Sequence, residues 1–164
     1  MPSFKTALAA YQDLPRRVKS AMLSTVNADG TPHASYAPFV MDHSYQLYLL
    51  TSGLSAHTHN LSRTGQVSVL LMEDEGQTPQ IFARQRLTYD CRVTPIDRQS
   101  DVWEAQIAQL EARFGDIMTM LRQLEDFQLF QLSPRSGRFV MGFGAAYAVD
   151  PHDLSQLQAG AITG

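Results

Sequence analysis

Ala21-Met22-Leu23-Ser24-Thr25-Val26 runs into Asn27-Ala28-Asp29-Gly30 and resumes as His33-Ala34-Ser35-Tyr36-Ala37-Pro38-Phe39-Val40. Two short β-prone runs thus flank a tight-turn sequence, in which Gly30 can take a positive φ and Asp29 can bond its own backbone. This predicts a hairpin. Pro38 cannot donate to a ladder, so it belongs at an edge, a bulge or the strand end.

Downstream the same texture continues. Gln46-Leu47-Tyr48-Leu49-Leu50-Thr51 reads as a third strand, Ser55 as the N-cap of a short helix to about Arg63, and residues 66–72 as a fourth strand. Residues 79–93 alternate over much of their length and place Phe82, Arg84, Arg86 and Thr88 on one unusually basic strand face. Trp103, Ile107, Leu110, Phe114, Ile117, Leu121 and Leu124 step by fours and threes, the stripe of an amphipathic helix or a pair broken near Gly115, serving core packing or a dimer surface. Residues 127–132 and 138–149 read as two strands joined by Ser133-Pro134-Arg135-Ser136-Gly137. Upstream, Phe4, Ala7, Leu8 and Tyr11 mark a short leading helix that Pro15 interrupts.

Six or seven mostly hairpin-linked strands with one helical insertion predict a mainly β, α+β fold, a small antiparallel barrel with helices over its ends. One domain is expected over residues 1–164: a helical lead (1–19), barrel strands (20–95 and 126–149), a helical insertion (98–124) and a tail (150–164).

Composition agrees. The chain has 164 residues, 44% hydrophobic and 18% charged. A domain of this length buries roughly 70% of the surface of its unfolded chain, so its core needs no staple. A single cysteine, Cys91, excludes an intrachain disulfide and a cysteine-cluster zinc site, and it reads as a small core residue. No signal-like leader and no run of 18 apolar residues is present, so a cytoplasmic location is expected. A net charge of −3 and a pI near 5.9 argue against nucleic-acid or anionic-membrane partners.

Two segments carry candidate chemistry. Thr51-Ser52-Gly53-Leu54-Ser55-Ala56-His57-Thr58-His59-Asn60 places hydroxyls and imidazoles where a strand yields to a helix, a setting suited to a phosphate or carboxylate. The same residues also fit a plain capped helix with surface histidines. His57 and His59 point about 200° apart on a helix, so they cannot share one metal as an i, i+4 pair can. Arg84 and Arg86, about 7 Å apart on one strand face, suit an anionic ligand or else ion pairs with Glu73-Asp74-Glu75. Gly142-Phe143-Gly144-Ala145-Ala146-Tyr147 lacks the third glycine and the βαβ unit of a dinucleotide fingerprint; its glycines suit a bulge or a close backbone approach.

Several segments together carry a family likeness: Thr25-Val26 through Asp29-Gly30, Ser35-Tyr36-Ala37-Pro38-Phe39, His57-Thr58-His59-Asn60-Leu61, Glu73-Asp74-Glu75, Ile81 through Asp90, and Gly137 through Tyr147. They resemble the HutZ/HugZ-type haem-utilisation proteins, part of the split-barrel superfamily of pyridoxamine 5′-phosphate oxidase and other flavin-binding proteins. The likeness spans roughly residues 20–149. It implies a six-stranded split barrel, a homodimer, and pockets for haem or FMN built from both subunits.

By that resemblance, Thr51, Ser52, Ser55 and His57 would hold an FMN phosphate in a flavin-binding member. In a haem-binding member His57 would lie beside the haem, as a candidate metal-proximal residue, and Arg84 or Arg86 would face a propionate. Haem-degrading members carry an axial histidine in a Gly/His-rich C-terminal tail. Here the last histidine is His152, and the chain closes on Gln158-Ala159-Gly160-Ala161-Ile162-Thr163-Gly164. The implied function is therefore haem binding in haem iron acquisition or degradation, with an FMN-dependent oxidoreductase and a non-catalytic haem carrier or sensor as alternatives.

Overall fold

The computed structural model describes residues 2–160; the last four residues of the expected tail lie outside them. The first helix, α1, spans Phe4–Arg17, with the Ser3 hydroxyl accepting from the Thr6 N–H at 3.1 Å. It does not stop at Pro15. The proline falls near the last turn, where it removes a single backbone bond, and it is buried with Ala7, Tyr11 and Leu14.

The expected hairpin forms from β1 (Ser20–Val26) and β2 (Pro32–Pro38). Gly30 has φ +86°, and Asp29 Oδ1 accepts the Thr31 N–H at 3.0 Å. Then come β3 (Val40–Met41), β4 (Leu47–Ser52), α2 (Ala56–Thr64) and β5 (Gln66–Met72). β6 (Arg86–Ile96), α3 (Asp101–Phe114), α4 (Ile117–Leu121), β7 (Phe127–Gly142) and β8 (Ala145–Ala148) complete the described chain.

The strands pair antiparallel in the order β2-β1-β5-β6-β7-β4-β3, with β8 on β7. Among the described residues this gives eight strands where the residues predict six or seven and the family likeness six, and the hydrogen-bonded path is open rather than a closed ring. Alternation sets the inner face: Ala21, Leu23 and Thr25 of β1 are buried, as are Val67, Val69 and Leu71 of β5. The first part of the helical stripe is core: Trp103, Ile107 and Leu110 pack with Met118 on Val40, Tyr48 and Leu129, and Phe114 and Leu121 lie partly buried against them, but Ile117 and Leu124 are exposed.

Two expectations fail for local reasons. Residues 127–142 form one strand, not two, because β6 offers a long partner and a register shift at Asp90/Cys91 absorbs Pro134, which has no N–H to give. Gly137 is needed in that strand: a Cβ there would lie 2.7 Å from both the Tyr89 ring and Val149 Cγ2. The second failure is at residues 79–85. Short 3₁₀ turns form at Glu75–Gln77 and Ile81–Ala83, capped by the side chains of Asp74 and Gln80, and the strand begins only at Arg86. Phe82 and Arg84 therefore do not share a strand face with Arg86 and Thr88.

A candidate anion pocket where β4 meets α2

The corner between β4 and α2 is tightly built. The Gly53 N–H donates to the Asp126 carbonyl at 2.8 Å, and a Cβ at residue 53 would fall 2.8 Å from that same oxygen. Glycine is required here by close approach. Ser52 Oγ donates to Asp126 Oδ2 at 2.9 Å and accepts the Leu54 N–H at 3.2 Å. The buried Thr58 hydroxyl sits 2.9 Å from Thr51 Oγ1 and 2.6 Å from the Ser52 carbonyl oxygen. Thr51 and Ser52 are thus engaged in shaping the corner.

Ser55 is different. It occupies the N-cap of α2 in extended backbone, yet its side chain makes no capping bond. Its hydroxyl and the first N–H groups of the helix remain available to an anion.

His57 is the second residue of α2, half-buried in its first turn, with Nδ1 2.9 Å from Ser35 Oγ on β2. Burial lowers its pKa below the usual 6.5, helped by the neighbouring His33, so the imidazole is held neutral. His59 is exposed, and no group of three or more His, Cys, Asp or Glu side chains that could hold a metal ion occurs among the described residues.

Three partners of the corner were not singled out from sequence: Ser35, Asp126 and Asn60. Asn60 is buried and donates to Thr25 Oγ1 at 3.0 Å and Asn27 Oδ1 at 2.9 Å, tying α2 to the first hairpin. Strand alternation in β2, which sets His33, Ser35 and Ala37 on the less exposed face, is the signal that could have found Ser35. Nothing local marks Asp126, whose partner lies 74 positions away.

The arginines lie elsewhere. Arg84 Nε donates to the Glu73 carbonyl at 2.8 Å, and its Nη1 is 3.6 Å from the exposed Glu75 carboxylate. It lines a cleft with Arg17 and Lys19 whose wall also carries Glu73, Asp74 and Glu75, so charges of both signs meet there. Arg86 opens β6 and gives one bond, to the Arg84 carbonyl at 3.0 Å. Between β6 and β2 lie β5 and β1, three ladder steps or roughly 14 Å. The arginines and the α2 corner do not form one pocket within a single chain.

Around both regions large apolar side chains stand in solvent. Leu54 at the corner tip is 89% exposed, Phe82 78% and Phe143 69%. Gly142 lies against Ala83, so the turn bearing Phe82 abuts the β7–β8 turn bearing Phe143.

Comparison with known proteins settles the lineage. Residues 7–141, most of the chain, match the pyridoxamine 5′-phosphate oxidase family. The chain belongs to that family. Within it, the chain is 46% identical over 136 residues to the haem oxygenase HutZ of Vibrio cholerae, covering 83% of this chain and 77% of that protein. A crystal structure of HutZ, there described as a haem storage protein, superposes with a TM-score of 0.73 at 40% identity, over 77% of this chain and 88% of that one. Campylobacter jejuni ChuZ superposes with a TM-score of 0.85 at 25% identity, over 98% of this chain and 65% of that one. An FMN-binding family member from Nostoc punctiforme shares the fold at 16% identity, with a TM-score of 0.65 over 100% of this chain and 98% of that one.

Proposed function

We propose that this pyridoxamine 5′-phosphate oxidase family member is a haem-utilisation protein that binds haem between two copies of itself. In this reading the α2 corner of one subunit and Arg86 of the other face the anionic edge of the ligand. The observation that carries the reading is the 46% identity to HutZ over 83% of the chain.

The donor set fits such a ligand. Ser55 and the leading N–H groups of α2 suit a carboxylate, while Leu54, Phe82 and Phe143 suit a flat apolar ring system. Arg86 completes the set only if it comes from a second subunit, and solvent-exposed apolar side chains around both regions, Leu54 at the corner and Phe82 and Phe143 near the arginines, support a dimer. Of the two arginines Arg86 is the better candidate, because Arg84 already serves Glu73 and Glu75.

Haem, when bound, supplies a redox-active iron. The chain's own contribution is to hold the anionic groups, shield the apolar ring and orient His57. Thr51 and Ser52 support the corner rather than touch the ligand.

The deciding experiment titrates the purified protein with haemin and, separately, with FMN, while light scattering reports its mass. A Soret band that saturates near one haem per subunit, on a dimer, is the expected result. Stoichiometric uptake of FMN, with added haemin keeping its free spectrum, would replace this reading with the flavin oxidoreductase.

A further inference from the structure

We infer that Ser35 is a positioning residue that fixes the tautomer of His57, so that the imidazole presents an Nε2–H donor to an anionic oxygen of the ligand rather than a lone pair to a metal. This deepens the pocket reading above and rests on it for the identity of the ligand.

A neutral imidazole carries one proton, and whichever nitrogen bonds a neighbour fixes what the other can do. Ser35 Oγ lies 2.9 Å from His57 Nδ1, which is the sole hydrogen-bond partner of that hydroxyl among the described residues. Were Nδ1–H the donor, the Ser35 hydroxyl proton would have no protein acceptor among the described residues, whereas with the hydroxyl donating both groups are paired with each other. With the hydroxyl donating, Nδ1 is the acceptor and the ring proton sits on Nε2. His33, on the same face of β2, is the titratable neighbour bearing on the ring, and its positive form further disfavours a second proton on His57.

The two elements make the arrangement stiff. Ser35 is held by its pairing opposite Leu23 in the first hairpin. His57 is held by the helix that Asn60 ties to Thr25 and Asn27 of that same hairpin. Donor and acceptor thus sit on one braced unit. The ligand group that matches Nε2–H is an anionic oxygen, either a haem propionate or a flavin phosphate. Iron would need the lone pair that this tautomer lacks, so His57 is not an axial ligand.

The test begins without any ligand. Long-range 15N NMR of the histidine rings in the unliganded protein should show an unprotonated Nδ1 and a protonated Nε2 for His57; the reverse assignment overturns the inference. Ser35→Ala should lose the single-tautomer signature and weaken binding of haemin or FMN about three- to tenfold, the scale of one neutral hydrogen bond. Ser35→Thr, which keeps the hydroxyl and suits a strand, should restore both. A loss seen only with haemin identifies the propionate, and one seen only with FMN the phosphate. Unchanged tautomer and unchanged affinity in Ser35→Ala sink the proposal. A wild-type protein that binds neither ligand but shows the Nε2–H form would overturn the haem reading and leave the role of Ser35 standing.

Discussion

The β4–α2 corner and the entry to β6 look alike as sequence, each a cluster of groups able to hold an anion, yet folding treats them in opposite ways. At the corner the neighbours consume Thr51 and Ser52 but leave Ser55, the helix N–H groups and the outer edge of His57. At the β6 entry an acidic turn folds back on Arg84, while Arg86 gives one bond to a carbonyl. Residue type alone does not make an anion site. What decides is which donors the fold leaves without a protein partner: Asp126 takes the Ser52 hydroxyl at the corner and Glu73 and Glu75 take Arg84 at the β6 entry, while Ser55 is left free.

The strongest way to break this comparison is to separate the two regions. If they meet across a subunit boundary, charge placed on the exposed aromatics beside the arginines should divide the dimer and disassemble the pocket. Phe82→Asp combined with Phe143→Asp is expected to give a monomer by light scattering and to lower haemin affinity more than a hundredfold. Buried aromatics are the usual anchors of such interfaces, and single anchors cost about 2 kcal/mol or more when lost. A dimer of unchanged affinity would place the interface elsewhere.

Which parts were legible in the sequence follows the same logic of local against distant partners. The first hairpin, β5, the start of α2 and the two helices around Gly115 were all readable, because turn residues, caps and periodicity are written within a few positions. The 3₁₀ turns before β6 were missed because Glu73, twelve positions upstream of Gln85, accepts its N–H at 2.9 Å and holds the segment out of the sheet. The continuity of β7 was missed because it depends on a bulge at Arg135, between the pairs Asp90/Ser136 and Cys91/Pro134. At the site, His57 was legible, but its partner Ser35, 22 positions earlier, emerges only when helix and hairpin are packed together.

A sharper and smaller contrast lies between the two arginines. Arg86→Ala should weaken haemin binding about ten- to hundredfold, the loss of a charge-assisted bond of roughly 1.5–3 kcal/mol, with little change in melting temperature. Arg84→Ala should do the reverse. Its contacts are to a backbone carbonyl and an exposed carboxylate, so binding should hold while stability falls by about 1 kcal/mol. Equal affinity losses in the two variants, measured by titration at fixed salt, would erase the distinction drawn between them.

The smallest expected effect concerns proton uptake at the corner. Burial and His33 depress the His57 pKa, so between that value and 6.5 the folded protein carries fewer protons than the unfolded chain. Stability then rises with pH across this window, since the slope follows the excess of protons bound by the unfolded state. The contribution is fully present above pH 6.5 and is lost as the pH falls through the folded-state pKa. Thermal melts of the unliganded protein from pH 7.5 to 5 should therefore decline on the acid side, and His57→Gln should flatten that decline, because a glutamine can keep a bond to Ser35 but takes up no proton. The β6 entry provides the control: Arg84→Ala removes a bond to the Glu73 carbonyl and an ion pair with Glu75 far from His57, so it should lower the whole curve without changing its shape. If His57→Gln melts with the wild-type slope, the acid-side loss belongs to other groups and the imidazole is freer of its neighbours than the 2.9 Å contact to Ser35 implies.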